Sequence, residues 1–404
     1  MYDDSQHIGR LREIRLWRQL SIRAVAELSG LSFGYLAKLE RGEKPVTKRA
    51  TLESLATTLR VSPTELTGQP YGPAGQESSE THEALMLLEE SLESFELGDD
   101  PGGPIREWHE VRADVDRLAD LTHVNADYAK QGLLVPKLMA ELHAAYVRQH
   151  EHRRDALLWL IQCYSAACWT TKRLGGRGLP LVAARMAQEC ARELEAPQWL
   201  GYATWLRGDA SGQFGRQRQY LRTVRTADDL RGSLNDPEVS QVYGMLHLSA
   251  ALGAAAQRDR DAAIAHLDEA GAVANRQQDE VGNFARLWFG RTNVGIWRVA
   301  IAAELGDGPK VVELAKDLHP EVIPSRSRQA EFLCDYGRSL MTERDTCDQG
   351  LSAVLRAEAL APQRVRNDVF VREAVADSLR RARRDAGGRE LRGLAWRMGI
   401  APVG

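Results

Sequence analysis

Cysteine is scarce in this chain and shows no pairing pattern. The five residues, Cys163, Cys168, Cys190, Cys334 and Cys347, are an odd, scattered set without a CxxC. That argues against a disulfide framework and against a structural zinc site, and it suits thiols kept reduced in a cytoplasm. Long hydrophobic runs are absent as well: none approaches the about 18 residues that a membrane span needs. The acidic start Met-Tyr-Asp-Asp leads straight into a periodic helix, with no basic and apolar leader before it. A membrane is therefore not an expected partner, and the expected location is the cytoplasm. Catalytic signatures are also missing. His150-Glu151-His152 lacks the spacing of HExxH, the other histidines occur singly, and Gly175-Gly176-Arg177-Gly178 fits neither phosphate-loop pattern. No enzymatic activity, catalytic residue, cofactor or metal is expected.

Lysine is rare too, 8 of 53 basic residues, yet Lys38, Lys44 and Lys48 all fall in the first sixth of the chain. Residues 1–68 hold 11 Lys+Arg against 8 Asp+Glu, and the remainder 42 against 48, so a head of charge +3 precedes a body of charge -6. A basic head on an acidic body is the electrostatic footprint of a phosphate-binding module. At 404 residues, with 43% hydrophobic and 27% charged residues, the chain can bury more than one core.

What is present is helical periodicity. Residues 8–19 place Ile8, Leu11, Ile14 or Arg15, and Leu16 on one face of a first helix. Ser21 is a good N-cap for a second, Ile22 to Leu28, and Gly30 supplies the turn after it. Ser32 caps a third, Phe33 to Arg41, which Gly42 stops. A fourth runs from about Arg49 to Leu59, and Ser62-Pro63 opens a fifth. Residues 69–80, with Pro, Gly and Ser and no period, read as a linker. Beyond it every periodic segment is helical, with no alternating strand pattern. Turns at Gly175, Gly215, Arg258, Gly306 and Asp345 divide the body into pairs at steps of 39 to 48 residues. After two of these turns small residues recur, Ala263, Leu267 and Ala270 in one pair and Gly350, Val354, Ala357 and Pro362 in another. Small residues there let two antiparallel helices approach, and the next pair can stack on the exposed side.

The segment LSIRAVAELSGLSFGYLAKLERGEKPV resembles the Cro and repressor type of helix-turn-helix, the xenobiotic response element family. Ala26 is small enough for the helix crossing, Gly30 permits a left-handed turn, and Val25, Leu31, Leu36 and Leu39 form the small core. The ending Leu39-Glu40-Arg41-Gly42 and the closing LRVSPTEL (Leu59 to Leu66) belong to the same likeness. It implies an all-α fold with a five-helix lambda-repressor-like domain at 1–68. It also implies that Phe33, Gly34 and Lys38 face base edges of double-stranded DNA while Ser32, Tyr35, Arg41 and Lys44 hold phosphates. Where that family often has glutamine, Ile22 stands here, and the neighbouring Arg23 is expected to take over its phosphate contact. Phe33-Gly34 offers few hydrogen bonds, so thymine-methyl contact and DNA shape are expected to carry more of the specificity.

The repeating body, 81–404, resembles the tetratricopeptide repeat. Head and body together are similar to many actinobacterial regulators and to the peptide-pheromone receptors that serve quorum sensing in Gram-positive bacteria. That architecture implies transcription regulation by a homodimer on an inverted-repeat operator, with effector binding and dimerisation in the repeats. A short peptide or small signalling molecule is the implied effector; the alternative is a DNA-binding scaffold that recruits a protein partner without any ligand. Helical register places Gln162, Trp169, Lys172, Tyr202, Trp205, Asp209, Asn293 and Asp335 toward the groove. The last helices, Asp368 to Arg384 and Arg389 to Met398, are the expected dimer contact. A flexible linker would transmit no local strain, so a signal would have to pass by repositioning the two heads of the dimer.

Overall fold

The computed structural model describes residues 10–67, 76–176, 178–211, 216–382 and 388–400, and among them all regular structure is helical. The first five helices are α1 (Leu11–Trp17), α2 (Ile22–Ser29), α3 (Phe33–Glu40), α4 (Arg49–Leu59) and α5 (Pro63–Thr67). Local chemistry sets their ends. Ser21 Oγ accepts the Ala24 N–H and Ser32 Oγ accepts the Tyr35 N–H, while Gly30 closes α2 with φ +67°, in the left-handed region. Leu11, Ile14, Val25, Leu36, Leu39, Leu55 and Leu59 make a small, fully buried core. One detail of α1 differs from the periodic reading: Leu16 is exposed and Arg15 turns inward instead. The reason is an ion pair, Arg15 Nε to Glu40 Oε1 at 2.5 Å and Nη2 to Oε2 at 2.8 Å, which ties α1 to the end of α3. Ile8 lies outside the described residues.

The body follows as α6 (Gln76–Ser94), α7 (Trp108–Asp120), α8 (Tyr128–Arg148), α9 (Arg153–Arg173), α10 (Leu179–Leu194), α11 (Pro197–Ala210), α12 (Arg216–Leu230), α13 (Pro237–Ala256), α14 (Arg260–Ala274), α15 (Arg291–Leu305), α16 (Gly308–Ala315), α17 (Arg326–Leu340), α18 (Cys347–Leu360), α19 (Pro362–Arg366), α20 (Val369–Ala382) and α21 (Arg389–Arg397). α6 starts at Gln76, so the end of the segment read as a linker is already helical; residues 68–75 lie outside the described residues.

Antiparallel pairs α9/α10, α11/α12, α13/α14, α15/α16 and α17/α18 stack through their first members, α9 on α11, α11 on α13, α13 on α15 and α15 on α17. That is a tetratricopeptide-like solenoid. Gly175, Arg258, Gly306 and Asp345 lie in turns between paired helices as the spacing implies; Gly215 lies outside the described residues. The small residues do the expected work. At the α17/α18 crossing a Cβ on Gly350 would lie 2.6 Å from the Gly337 carbonyl oxygen, which forces the backbones apart. Gly350→Ala should therefore cost about 1–3 kcal/mol, measurable as a lower thermal midpoint of the whole chain.

The superhelix returns to its own start. The Tyr128 N–H donates to Gln363 Oε1 at 2.7 Å, and Ser325 Oγ donates to the His123 carbonyl at 3.3 Å. No helix among the described residues is long and apolar enough to cross a membrane.

Candidate DNA-binding face and body cavity

The N-terminal face of α3 is open. Ser32, Phe33, Gly34 and Lys38 are exposed, Phe33 with 53% of its surface in solvent. Arg23, at the start of α2, and Arg41 and Lys44, after α3, are exposed as well. A helix held across α2 with its first turn projecting is what the major groove admits. Tyr35 stands apart from the others: it is half-buried, and burial together with the nearby Glu373 carboxylate of α20 pushes its phenol up. Residues 30–34 also spell GxSxG, a pattern of hydrolytic nucleophiles that sequence reasoning wrongly took to be absent. Here Ser32 sits between two helices, with its hydroxyl used as a cap, so the strand-to-helix elbow that the chemistry needs is not formed.

Arg41 is engaged in the free protein. Its Nε lies 2.5 Å from Glu43 Oε1, and the pair holds the Glu43 carboxyl below its usual range. If Arg41 holds a phosphate, as the resemblance implies, that phosphate has to displace Glu43, and Glu43→Gln should then strengthen DNA binding roughly twofold to fivefold and steepen its salt dependence. Lys38→Ala should cost about 1–3 kcal/mol of operator affinity and relax specificity. Arg41→Ala should weaken all sequences alike and lower the salt slope by about one unit. Titrations at several salt concentrations separate these three outcomes.

This domain is clamped to the body through residues 46–50. The Glu304 carboxylate of α15 accepts the Arg49 N–H at 3.1 Å and the Ala50 N–H at 2.9 Å, capping α4 from the other domain. Lys48 Nζ donates to the Leu305 carbonyl at 3.2 Å, and Arg338 Nη1 of α17 donates to the Thr47 carbonyl at 2.6 Å. Arg338 also lies over the Phe370 ring, 5.0 Å from its centroid, and Val369 and Phe370 of α20 pack against the domain's core. The head is thus seated on the body, and a linker is not its only route of communication.

On the inner side of the solenoid is a cavity of about 200 Å³. Trp169 (α9), Trp205 and Asp209 (α11) and Asn293 (α15) line it, four of the eight residues that register assigned to the groove. Trp169 and Trp205 meet edge to face with centroids 6.4 Å apart. Asn293 is buried, with Nδ2 donating to the Leu287 carbonyl at 3.0 Å and Oδ1 accepting from Arg328 Nε at 2.9 Å. The other four sit elsewhere. Lys172 folds back onto Asp209, Nζ to Oδ1 at 2.7 Å. Tyr202 is a core residue whose hydroxyl donates to Ser165 Oγ at 2.8 Å. Gln162 lies at a smaller neighbouring pocket with Trp169 and Tyr202. Asp335 pairs with Arg338, at the clamp.

Sequence reasoning missed the arginines that face this space: Arg173, Arg286, Arg328, Arg364 and, from the DNA-binding domain, Arg49. It also missed Trp288 and Trp297. Beside Arg286, His123 is pushed down to about 3, by burial first and by that charge second, and so stays neutral. The Glu331 carboxylate is held well below the carboxylate range by the surrounding Arg364, Arg328 and Arg173, which outweigh the cost of its burial. Among the described residues no cluster of three or more His, Cys, Asp or Glu side chains converges as a metal site would require.

α20, expected at a dimer contact, is largely buried inside the chain: Val371 to Ser378 are all covered. Of the last helices only α21 presents a large free ring, Trp396, 78% exposed.

The family model of a helix-turn-helix domain matches residues 9–67, the span of α1 to α5. The chain therefore carries a DNA-binding helix-turn-helix domain at its N-terminus, followed by a helical-repeat body. No curated protein matches the chain. Among solved structures it is similar to the crystal structure of Bacillus thuringiensis PlcR in complex with the peptide PapR7 and DNA. That likeness has 11% identity and a TM-score of 0.35 over 91% of this chain and 99% of that one, too low a score to carry an argument about function.

Proposed function

We propose that this protein is a sequence-specific transcription regulator, active as a homodimer on an inverted-repeat operator, whose body senses a short peptide or small signalling molecule. The observation that carries this reading is the pairing of an open α3 face with a body that holds an aromatic-walled cavity and grips the same domain through Glu304 and Arg338. A dimer suits the small size of one head, since two half-sites raise affinity steeply.

An effector that binds only the folded chain raises its unfolding free energy by about 2.7 kcal/mol at a hundred times its Kd. A thermal-shift screen of peptides and small acids, followed by operator titration with each hit, tests the sensor reading. Hits that raise the midpoint and alter operator affinity support it, and Asn293→Ala and Trp205→Ala should abolish the response with operator affinity retained. Unchanged responses in both variants contradict the cavity assignment. A scaffold that recruits a protein partner gives no hits. A monomeric mass at micromolar concentration, with and without operator, contradicts the dimer.

A further inference from the structure

The cavity is short of acceptors. Among the residues that line it, the buried side-chain atoms without a hydrogen-bond partner are Arg49 Nε, Trp288 Nε1, Trp297 Nε1 and Arg328 Nη2, all donors, with no buried acceptor left unmatched. Folded proteins rarely leave buried donors unmatched, and four around one space point to something that brings acceptors.

Charge points the same way. Five arginines border the space against two carboxylates, Asp209 and Glu331. Both carboxylates are already engaged: Asp209 with Lys172 at 2.7 Å, Glu331 with Arg328 and Arg364 at 2.7 Å each. An excess of positive charge in a partly open recess is screened less by water than on a flat surface, so it attracts an anion more strongly than the same charges would there. The remaining lining includes four indole rings, Trp169, Trp205, Trp288 and Trp297, with His123 edge-on to both Trp169 and Trp288. They fit a flat apolar body.

We propose that the cavity takes one organic anion with a flat apolar part, and that Arg49, a side chain of the DNA-binding domain, is one of its direct ligands. This rests on the reading of the body as a sensor and adds to it the ligand's chemical class and the route of the signal. Arg49 is suited to that route because its backbone and side chain do different things. Its N–H is fixed by Glu304, while its guanidinium reaches into a space otherwise built by the body. An anion shared between Arg49 and Arg328 ties the two domains together. It therefore favours the seated head over the released one by its difference in affinity for the two. With no anion present, Arg328, Arg364 and Arg173 share the Glu331 carboxylate and the Arg49 guanidinium has no carboxylate partner among the described residues, so no ion pair ties that guanidinium to the body. A peptide's terminal carboxylate and a non-peptidic aromatic acid offer the same chemistry.

The test uses the full chain and two fluorescent probes of nearly one shape, anionic 1-anilinonaphthalene-8-sulfonate and neutral N-phenyl-1-naphthylamine. The expected result is one bound sulfonate per chain, at least tenfold tighter than the neutral probe. Quenching of tryptophan emission should accompany it, since four tryptophans line the cavity. Arg49→Gln keeps the backbone cap from Glu304 and should weaken the sulfonate about tenfold while leaving the neutral probe unchanged. The sulfonate should also slow hydrogen exchange at the Val46, Arg49 and Ala50 amides in the parent chain but not in Arg49→Gln. If that variant melts early, Trp297→Phe removes the indole donor while keeping an aromatic ring, and the same loss is expected. Displacement of the sulfonate by trileucine but not its amide assigns a peptide terminus, and displacement by salicylate alone assigns a non-peptidic acid; either supports the anion class. Equal affinity for the two probes, or sulfonate binding unchanged in Arg49→Gln, overturns the proposal and leaves the sensor reading standing. Neither probe binding, together with a screen that yields no hits, overturns both.

Discussion

A chain lacking residues 1–68 should lose specific duplex-DNA binding altogether, a fall of about a thousandfold or more, the usual gap between specific and non-specific affinity. The expectation follows from where charge and shape lie. The removed part holds 11 basic against 8 acidic residues, the remainder 42 against 48, so the body has no electrostatic claim on a phosphate backbone. Electrophoretic mobility with operator and with scrambled DNA checks this. Retained operator affinity would place DNA binding outside α1 to α5.

The second large effect is expected at Glu40. Its carboxylate is 5% exposed and its partner Arg15 11%, so the pair is nearly dry. Removing one member of such a pair strands the other charge, at a cost of about 3–5 kcal/mol. Arg15 keeps one bond, Nη1 to the Leu20 carbonyl at 2.9 Å, which places Glu40→Ala at the low end of that range. Hydrogen exchange at the Leu36 and Leu39 amides in the full chain should speed up about a hundredfold, since local opening of the domain becomes easier by that amount. The double variant Arg15→Met, Glu40→Leu should recover most of the loss, because a matched apolar pair leaves no charge behind. An unchanged exchange rate in Glu40→Ala would mean that the pair contributes nothing to holding α3 in place.

The DNA-binding half was legible from the sequence because its signals are local. Ser21, Gly30, Ser32 and Gly42 punctuate helices only a few residues away, and the structure places α2 to α5 within a residue or so of the reading. The turns at Gly175, Arg258, Gly306 and Asp345 were legible for the same reason. The inner face was half legible. Trp169, Trp205, Asp209 and Asn293 were found by period, but positions one turn or one residue apart on a buried helix are indistinguishable by pattern, which is how Tyr202 and Lys172 entered the same set. Arg15 was ambiguous from its period, and only Glu40, 25 residues on, explains its inward turn.

What the sequence could not show is whatever depends on distant segments meeting. Arg49, Arg173, Arg286, Arg328 and Arg364 come from five separate places in the chain, and in an arginine-rich protein none stands out alone. The seat of the head is of the same kind: Glu304 lies 255 residues from Arg49, and Arg338 lies 291 from Thr47. Composition marked residues 69–80 as the connection between domains; the contacts of residues 46–50 with α15 and α17, and of Val369 and Phe370 with the head's core, carry no such local mark.

The most direct test of the central claim is selection of bound duplexes from a random pool by the purified full chain, repeated with Lys38→Ala. The expected result is an enriched inverted repeat whose half-sites lie one helical turn or a multiple of it apart, with preference relaxed at one or more positions of each half-site in the variant. A pool that stays random, or an enriched sequence indifferent to Lys38→Ala, would contradict the assignment of α3 as the reading helix.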